Sequence, residues 1–371
     1  DDAGLQLNIG GRGLNPNRTA NFNTRQNNYD ISADALGYPE SYYTPPPEGL
    51  EEIQILRGAA SLQYGTQFGG LINFKIKEPK PEDKFELITR NTAGSNNLFT
   101  NFTSISSSSN KSSYYGYVNY KKGDGFRPNS EFESINTFQN FNYDLNEKSK
   151  ITGEITYMEY LAHQAGGLSD FMFANDPFQS NRERNWFEIK WFLYNLKYLL
   201  EISENSSFSF SFFGLDAKRN SLGFRTNRVD QIDYGEERDL IKGDFNNFGF
   251  ESRYLTNHSF FNTKSYLLLG VKYYNSYSQS VQGPGSSSKD ANFNFDYVNF
   301  PNYVNQSEYN YPNNNLAIFG ENIFYINEKL SITPGFRFEN ISTSLDGFYR
   351  KINLDAAGNT CLLYTSPSPR D

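Results

Sequence analysis

The stretch LEEIQILRGAASLQYGTQFGGLINF, Leu50 to Phe74, decides how this chain is read. Ile53, Ile55 and Leu62 are apolar, Arg57-Gly58 and Tyr64-Gly65 mark abrupt changes of direction, and Gly69-Gly70 precede a second β-run, Leu71-Ile72-Asn73-Phe74. The stretch therefore predicts two short strands joined by a glycine-punctuated turn system, because glycine at this density lets backbone pack against backbone and adopt positive φ. By composition alone it is a compact β-turn-β unit of a small globular sheet.

Around it, residues 1–77 are rich in Gly, Asn and Pro with short apolar runs, which predicts a small irregular α+β unit. Tyr42-Tyr43-Thr44-Pro45-Pro46-Pro47 must be extended, since a residue before proline is pushed out of the helical region, and Glu48 to Glu52 is expected to hold one helical turn. Residues 78–83, EPKPED, read as a polar linker stiffened by proline.

From 84 onward the texture has period two. Phe208, Phe210 and Phe212 share one face and Ser207, Ser209 and Ser211 the other; Phe187, Ile189, Trp191 and Leu193 oppose Glu188, Lys190 and Phe192; Ile151, Gly153, Ile155 and Tyr157 oppose Thr152, Glu154 and Thr156. Eleven such strands are expected, near 84–94, 97–107, 112–122, 134–146, 150–161, 185–203, 207–217, 241–256, 264–279, 314–327 and 330–345. Many reach the roughly 9–11 residues that a tilted membrane strand requires.

The connections alternate in length. Tight turns at 146–149, 204–206 and 327–329 are interleaved with long segments at 162–184, 218–240 and 280–313. Short turns on one rim and long loops on the other describe an outer-membrane barrel, the short ones periplasmic and the long ones extracellular. The phrases DLNEKSKIT (Asp144 to Thr152) and YINEKLSIT (Tyr325 to Thr333) mark one strand-turn-strand event twice.

Composition agrees with strands. The chain is 37% hydrophobic yet holds 27 Tyr and 33 Phe among 371 residues, an aromatic-rich, aliphatic-poor usage that favours sheet over helix. No run of about 18 apolar residues is present, which excludes a helical membrane span but not a barrel, whose strands alternate lipid-facing and lumen-facing residues. The net charge of −8 with dispersed Lys and Arg argues against nucleic acid as a partner. The single Cys361 excludes an internal disulfide.

The pattern RG-x-x-S-x-x-YG-x-x-x-GG-x-IN, carried by Arg57, Gly58, Ser61, Tyr64, Gly65, Gly69, Gly70, Ile72 and Asn73, resembles the end of the plug domain of TonB-dependent outer-membrane receptors, with one residue fewer before the glycine pair than many members have. NIGGRGLNPNRT (Asn8 to Thr19) and TRQNNYDISADALGYPESYYTPP (Thr24 to Pro46) resemble the same plug in the ferric dicitrate branch. The resemblance implies a mainly β fold: residues 1–77 the C-terminal part of a plug, 78–83 a linker, and 84–360 the first half of a transmembrane antiparallel β-barrel of about 22 strands. The run CLLYTSPSPRD (Cys361 to Asp371) resembles the translation of a sequencing-library adapter and is set aside as a non-native tail. A signal peptide, a TonB box and the first part of the plug are expected upstream.

The function so implied is active import of a ferric chelate, ferric citrate or a similar siderophore, across the bacterial outer membrane. Its partners are TonB with its inner-membrane energising complex, the chelate, and outer-membrane lipid. Iron is cargo, and no cofactor or resident metal is expected. No catalytic motif is present: His163 and His258 lack metal-ligand spacing, G-x-S-x-G, H-E-x-x-H and P-loop patterns are absent, and Gly10-Gly11-Arg12-Gly13 lacks the context of a dinucleotide fingerprint. An importer of cobalamin or glycans, a passive porin or adhesin, and a soluble carbohydrate-binding β-protein are the alternatives.

A polyanionic chelate needs guanidinium and amide donors. Candidates are Arg12, Arg18, Arg25 and Gln26 in the plug, and Arg182, Arg184, Arg225 and Arg228 in the long loops, with His163 opening one loop. Each arginine taken alone reads first as a solvated or plug-to-wall ion-pair residue, and together they read as an anion-attracting vestibule. Gly58, Tyr64, Gly65, Gly69, Gly70 and Asn73 are expected to be structural, as is Arg57, paired with a wall carboxylate such as Glu154 or Glu188.

Overall fold

The computed structural model describes residues 21–33, 41–57, 62–65, 69–79, 84–226, 228–260, 263–350, 353–354 and 360–361. Among the described residues two large sheets carry the architecture, beside a two-residue pairing of 353–354 with 360–361. The smaller is built from β1 (Phe22–Gln26), β2 (Tyr29–Asp30), β3 (Leu50–Leu56) and β4 (Gly70–Ile76), in the order β2-β1-β4-β3. Asn27 and Asn28 take φ of 45° and 74°, which closes the β1–β2 hairpin with the left-handed turn that asparagine tolerates. β3 and β4 are antiparallel, and the helical turn expected over Glu48 to Glu52 is a single 3₁₀ turn at Pro47–Gly49, with Leu50 to Glu52 already in β3.

The larger sheet is an antiparallel meander: β5 (Phe85–Ala93), β6 (Phe99–Ser108), β7 (Ser112–Gly123), β8 (Phe132–Asn146), β9 (Ser149–His163), β10 (Trp186–Ser203), β11 (Ser206–Gly223), β12 (Arg238–Phe260), β13 (Thr263–Gly285) and β14 (Ser307–Asn327). A short helix α1 (Asp170–Asn175) lies in the β9–β10 connection. β15 (Leu330–Ile332), β16 (Gly335–Thr343) and β17 (Asp346–Tyr349) all pair with β14 and form one interrupted row, broken first at Thr333-Pro334. Proline has no N–H for the ladder, which accounts for that break. Ten strands and this row give the eleven that the alternation predicts. Among the described residues the sheet does not close on itself, and β5 and the interrupted row are its edges.

The repeated phrase makes the same turn twice. The Lys148 amide donates to Asn146 Oδ1 and the Lys329 amide to Asn327 Oδ1, each at 2.9 Å, so each asparagine builds an Asx turn in a two-residue connection. His258, which sequence order places in a short periplasmic turn, lies instead on β12 opposite Ser265, exposed, with Phe324 edge-on at 6.4 Å.

Side chains alternate across the wall, and the apolar face changes side along the strands. In the half of β10 nearer the short turns, Leu196 points outward with Ile155, Phe210, Phe212, Phe248 and Leu269 of neighbouring strands, all exposed. On the opposite face Asn195 is buried and donates to Glu154. In the other half, Ile189, Trp191 and Leu193 point inward at 0% exposure while Glu188 and Lys190 point out. An exposed apolar band of this extent is the surface a barrel presents to lipid.

The inward apolar half exists because the small sheet packs there. One cluster joins Phe22, Tyr29, Tyr42, Tyr43 and Phe74 of residues 22–76 to Trp191, Phe213, Leu215, Phe245 and Tyr274 of the wall. Contacts to the small unit come from strands as far apart as β7 (Tyr117 to Tyr43) and β13 (Lys272 to Asp30), so the large sheet curves around it.

Candidate functional site

Two regions hold the polar chemistry: the seam between the small sheet and the wall, and the vestibule where the long connections meet. In the seam, β1 and β2 present Arg25 and Asp30. Asp30 accepts from Lys272 Nζ of β13 and lies 3.2 Å from Arg25 Nη2; Arg25 Nη1 lies 3.4 Å from Glu251 of β12, which in turn binds Arg253. Burial pushes the Asp30 carboxyl up, but Arg25 and Lys272 beside it more than offset this and hold it below its ordinary value. Arg25 and Arg253 each place a guanidinium 4.7 Å from the centre of the Tyr64 ring, where the ring quadrupole attracts both.

The turn system of residues 62–65 is clamped by the wall. Arg253 donates to Gln63 Oε1 at 2.7 Å and Arg337 to the Gln63 carbonyl at 3.2 Å, while Gln63 Nε2 donates to Glu321 at 3.3 Å. Asn73 ties β4 inward: it donates to Asn28 Oδ1 and Gln54 Oε1 and accepts from the Asn28 amide. Gln26 donates to Tyr29 and Thr156 and accepts from the Tyr43 hydroxyl.

These placements revise two sequence readings. Arg25 and Gln26 are 0% exposed and spent on the seam, so neither stands in the vestibule. Arg57 is exposed, and its expected partners are satisfied otherwise: Glu154 accepts from Asn27, Asn140 and Asn195, and Glu188 from Asn220 with Lys190 beside it. Glu154 is taken by amides around it on the inner face, whereas Glu188 faces outward with Asn220 opposite it, away from the small sheet. Arg12, Arg18, Gly58 and Ser61 lie outside the described residues.

The vestibule arginines are likewise engaged. Arg182 donates to the carbonyls of Asn181, Gln231 and Val229 and stands 5.2 Å from the Phe224 ring centre. Arg184 grips both oxygens of Asp233 and donates to the carbonyls of Glu236 and Ser287, each at 2.8 Å. They staple the 164–185 loop to its neighbours. Arg228 pairs with Asp230 in solvent, and Arg225 is exposed. His163 stacks on Trp186 with centroids 4.1 Å apart, and its ring nitrogens meet Glu131 at 2.7 Å and the Glu183 carbonyl at 2.9 Å.

Arg184→Lys keeps the charge but loses the fork, and is expected to loosen the loop by roughly 2 kcal/mol, the worth of a hydrogen bond to a charged group. Burial raises the Asp233 carboxyl, but Arg184 and the Gly235 amide more than offset it and lower its pKa. A depressed folded-state value contributes stability above the unfolded carboxylate range, lost as pH falls through the folded value. Protease nicking of residues 224–237 is therefore expected to rise on acidification below about pH 4, and to rise at higher pH in Arg184→Lys. Nicking independent of both would refute the staple.

A cavity of about 630 Å³ is open at the loop end of the wall, lined by Tyr160 and Ala162 of β9, Phe187 of β10, and Phe126, Arg127 and Phe173 of the loops. His163 lines it through its ring, while its nitrogens are held elsewhere. Below lies Tyr42 of the small unit, 6.0 Å from Phe187 and 5.9 Å from Trp191, with Arg219 donating to its hydroxyl. Sequence reasoning missed this lining and Lys272. The signals were aromatics set in polar loops and a solitary cation in the apolar run LLLGVKYY, Leu267 to Tyr274.

No family model matches the chain, and no curated protein does. Solved structures do. The ferric citrate transporter FecA in its unliganded form superimposes with a TM-score of 0.77 at 18% identity, over 93% of this chain and 51% of that one. The ferripyoverdine receptor of the outer membrane of Pseudomonas aeruginosa gives 0.71 at 12%, over 94% and 50%. The ferric-catecholate import receptor Fiu of E. coli K12, open form, gives 0.67 at 11%, over 89% and 54%. The chain has the fold of the TonB-dependent receptors and spans about half the length of these structures.

Proposed function

We propose that this chain is the plug and adjoining wall of an importer that carries a ferric chelate across the bacterial outer membrane, energised through TonB. The observation that carries this reading is the buried, ion-paired seam: a unit held against the concave side of the wall by Trp191, Phe213 and the Asp30–Lys272 pair obstructs the space the wall curves around. A passive pore has no use for such an obstruction, whereas an importer that draws on inner-membrane energy needs a part to displace. The fold shared with receptors for ferric citrate, ferric catecholates and ferripyoverdine supports iron chelates as cargo. The apolar outer band supports lipid as the surrounding medium.

Plug displacement would be resisted by the seam and released by force on the plug, with the vestibule holding the chelate above Tyr42. Iron-starved cells producing the receptor that carries this sequence are expected to accumulate radiolabelled iron from its chelate and to stop when the proton gradient of the inner membrane is collapsed. Uptake that persists without the gradient would make the protein a passive pore. Gradient-dependent uptake of cobalamin or an oligosaccharide, without iron, would replace the cargo.

A further inference from the structure

Resting on the ferric-chelate reading, we propose that the cargo is an aromatic chelate with little or no net negative charge, seated in the 630 Å³ cavity between β9, β10 and the loops 124–131 and 164–185. Three observations converge on this class.

The first is charge. The connections on the long-loop rim, residues 94–98, 124–131, 164–185, 224–237 and 286–306, hold eleven Asp and Glu against six Lys and Arg, a net of five negative charges. A rim of that sign repels a polyanion over the distance at which steering acts. The second is that cations near the cavity are already committed. Arg182 and Arg184 staple the loops, Lys289 pairs with Glu183, Arg228 with Asp230, and Arg127 donates to the Gly166 carbonyl at 2.7 Å. Seating a ferric polycarboxylate here would break the buried Arg182 and Arg184 staples or leave buried negative charge uncompensated, and either is costly, while the exposed Lys289 and Arg228 pairs add little pull.

The third is the lining itself. Tyr160 and Phe187 meet edge to face at 6.5 Å on the wall. Phe126 and Phe173 face the same space from two loops and are 59% and 61% exposed. Rings held in solvent over a walled cavity, with Gln164 among them, suit a ligand that offers π-faces to stack and neutral oxygens to accept hydrogen bonds. The volume falls within the usual range of about 300–1,000 Å³ for a pocket that encloses a small molecule.

Three iron(III) complexes separate the variables: tris(benzohydroxamate), neutral with three phenyl rings; tris(acetohydroxamate), neutral without rings; and ferric citrate, anionic. Equilibrium binding to the receptor carrying this sequence can be read from quenching of Trp186, which stacks on His163 beside the cavity. The benzohydroxamate complex is expected to bind at least about tenfold more tightly than either other complex, and Phe126→Ala/Phe173→Ala to lose about tenfold, the scale of an aromatic contact. Phe126→Tyr/Phe173→Tyr keeps the rings and is expected to keep the affinity, which separates ring loss from loop misfolding.

Tightest binding of ferric citrate would overturn the inference and leave iron import standing. Equal binding of the two hydroxamates, or an Ala pair that binds as the parent does, would remove the aromatic assignment. A folded receptor that binds none of the three would overturn both readings.

Discussion

Lys272→Ala is expected to unseat the small sheet. Lys272 reaches from β13 to Asp30 with both side chains about 5% exposed, and Asp30 is also approached by Arg25. Removing one partner of a buried pair leaves the other charge without its compensation, at a cost of about 3–5 kcal/mol. Here the lower end applies, because Arg25 stays within 3.2 Å of the orphaned carboxylate. The consequence extends beyond the pair. Arg25 also faces Glu251, which faces Arg253, which holds Tyr64 and Gln63, so the loss passes along the seam to the turn at residues 62–65. The measurement is the rate of proteolysis within residues 22–76 and the urea midpoint of the parent, Lys272→Ala, Asp30→Asn and Asp30→Asn/Lys272→Met. The double replacement removes both charges and is expected to recover much of the stability, giving a coupling of about 2 kcal/mol or more. Additive losses would show that the two side chains do not act as a pair.

The wall was legible in the sequence because a strand repeats every two residues and a barrel strand is long enough for the repeat to count. Phe208, Phe210 and Phe212 alternate with serines, and the structure turns the first set outward and lets Ser211 donate inward to Asn195 at 2.6 Å. Which face looks inward was not legible. Phe187, Ile189, Trp191 and Leu193 alternate as cleanly, yet they face the interior, because residues 22–76 offer them a core. Alternation gives the register of faces; only the partner that covers a face gives its direction.

The seam and vestibule were less legible for a related reason. An arginine in a sequence shows a charge and a length but not the acceptor that will claim it. Arg25 finds Glu251 226 residues away, and Arg184 finds Asp233 49 residues away across a loop. A search for anion-binding donors therefore gathered residues that the fold uses as staples. Aromatics in the loops were read as composition, although Phe126 and Phe173 come from two separate loops to line one cavity, a convergence that sequence order does not display.

Gly70→Ala is expected to be as damaging as loss of Lys272, through the backbone alone. Gly70 opens β4 at φ +100°, a region that side chains with a Cβ rarely enter, and a Cβ there would overlap the Leu56 carbonyl oxygen and crowd Arg57. Leu56 and Leu71 are the register partners that end the β3–β4 ladder, so the overlap falls on the bond that closes the decisive stretch. The strained backbone costs roughly 1–3 kcal/mol and the forced displacement a similar amount. Neighbouring Gly69 offers no relief, since a Cβ there would lie 2.6 Å from the Asn21 carbonyl oxygen and 2.9 Å from the Phe22 ring, so the chain cannot shift by one residue to place the turn elsewhere. Gly153 on the outer face of β9 is the control: no heavy atom lies within 4 Å of a Cβ built there, and Gly153→Ala is expected to be within about 1 kcal/mol of the parent. Because Phe22, Ile72 and Phe74 belong to the core shared with Trp191 and Phe213, displacement of β4 by Gly70→Ala should open that core as well. Hydrogen exchange at the amides of Leu71 to Phe74 reads this directly, with fast exchange expected in Gly70→Ala and parental protection in Gly153→Ala. Parental protection in both would mean that the glycine pair is dispensable to the small sheet.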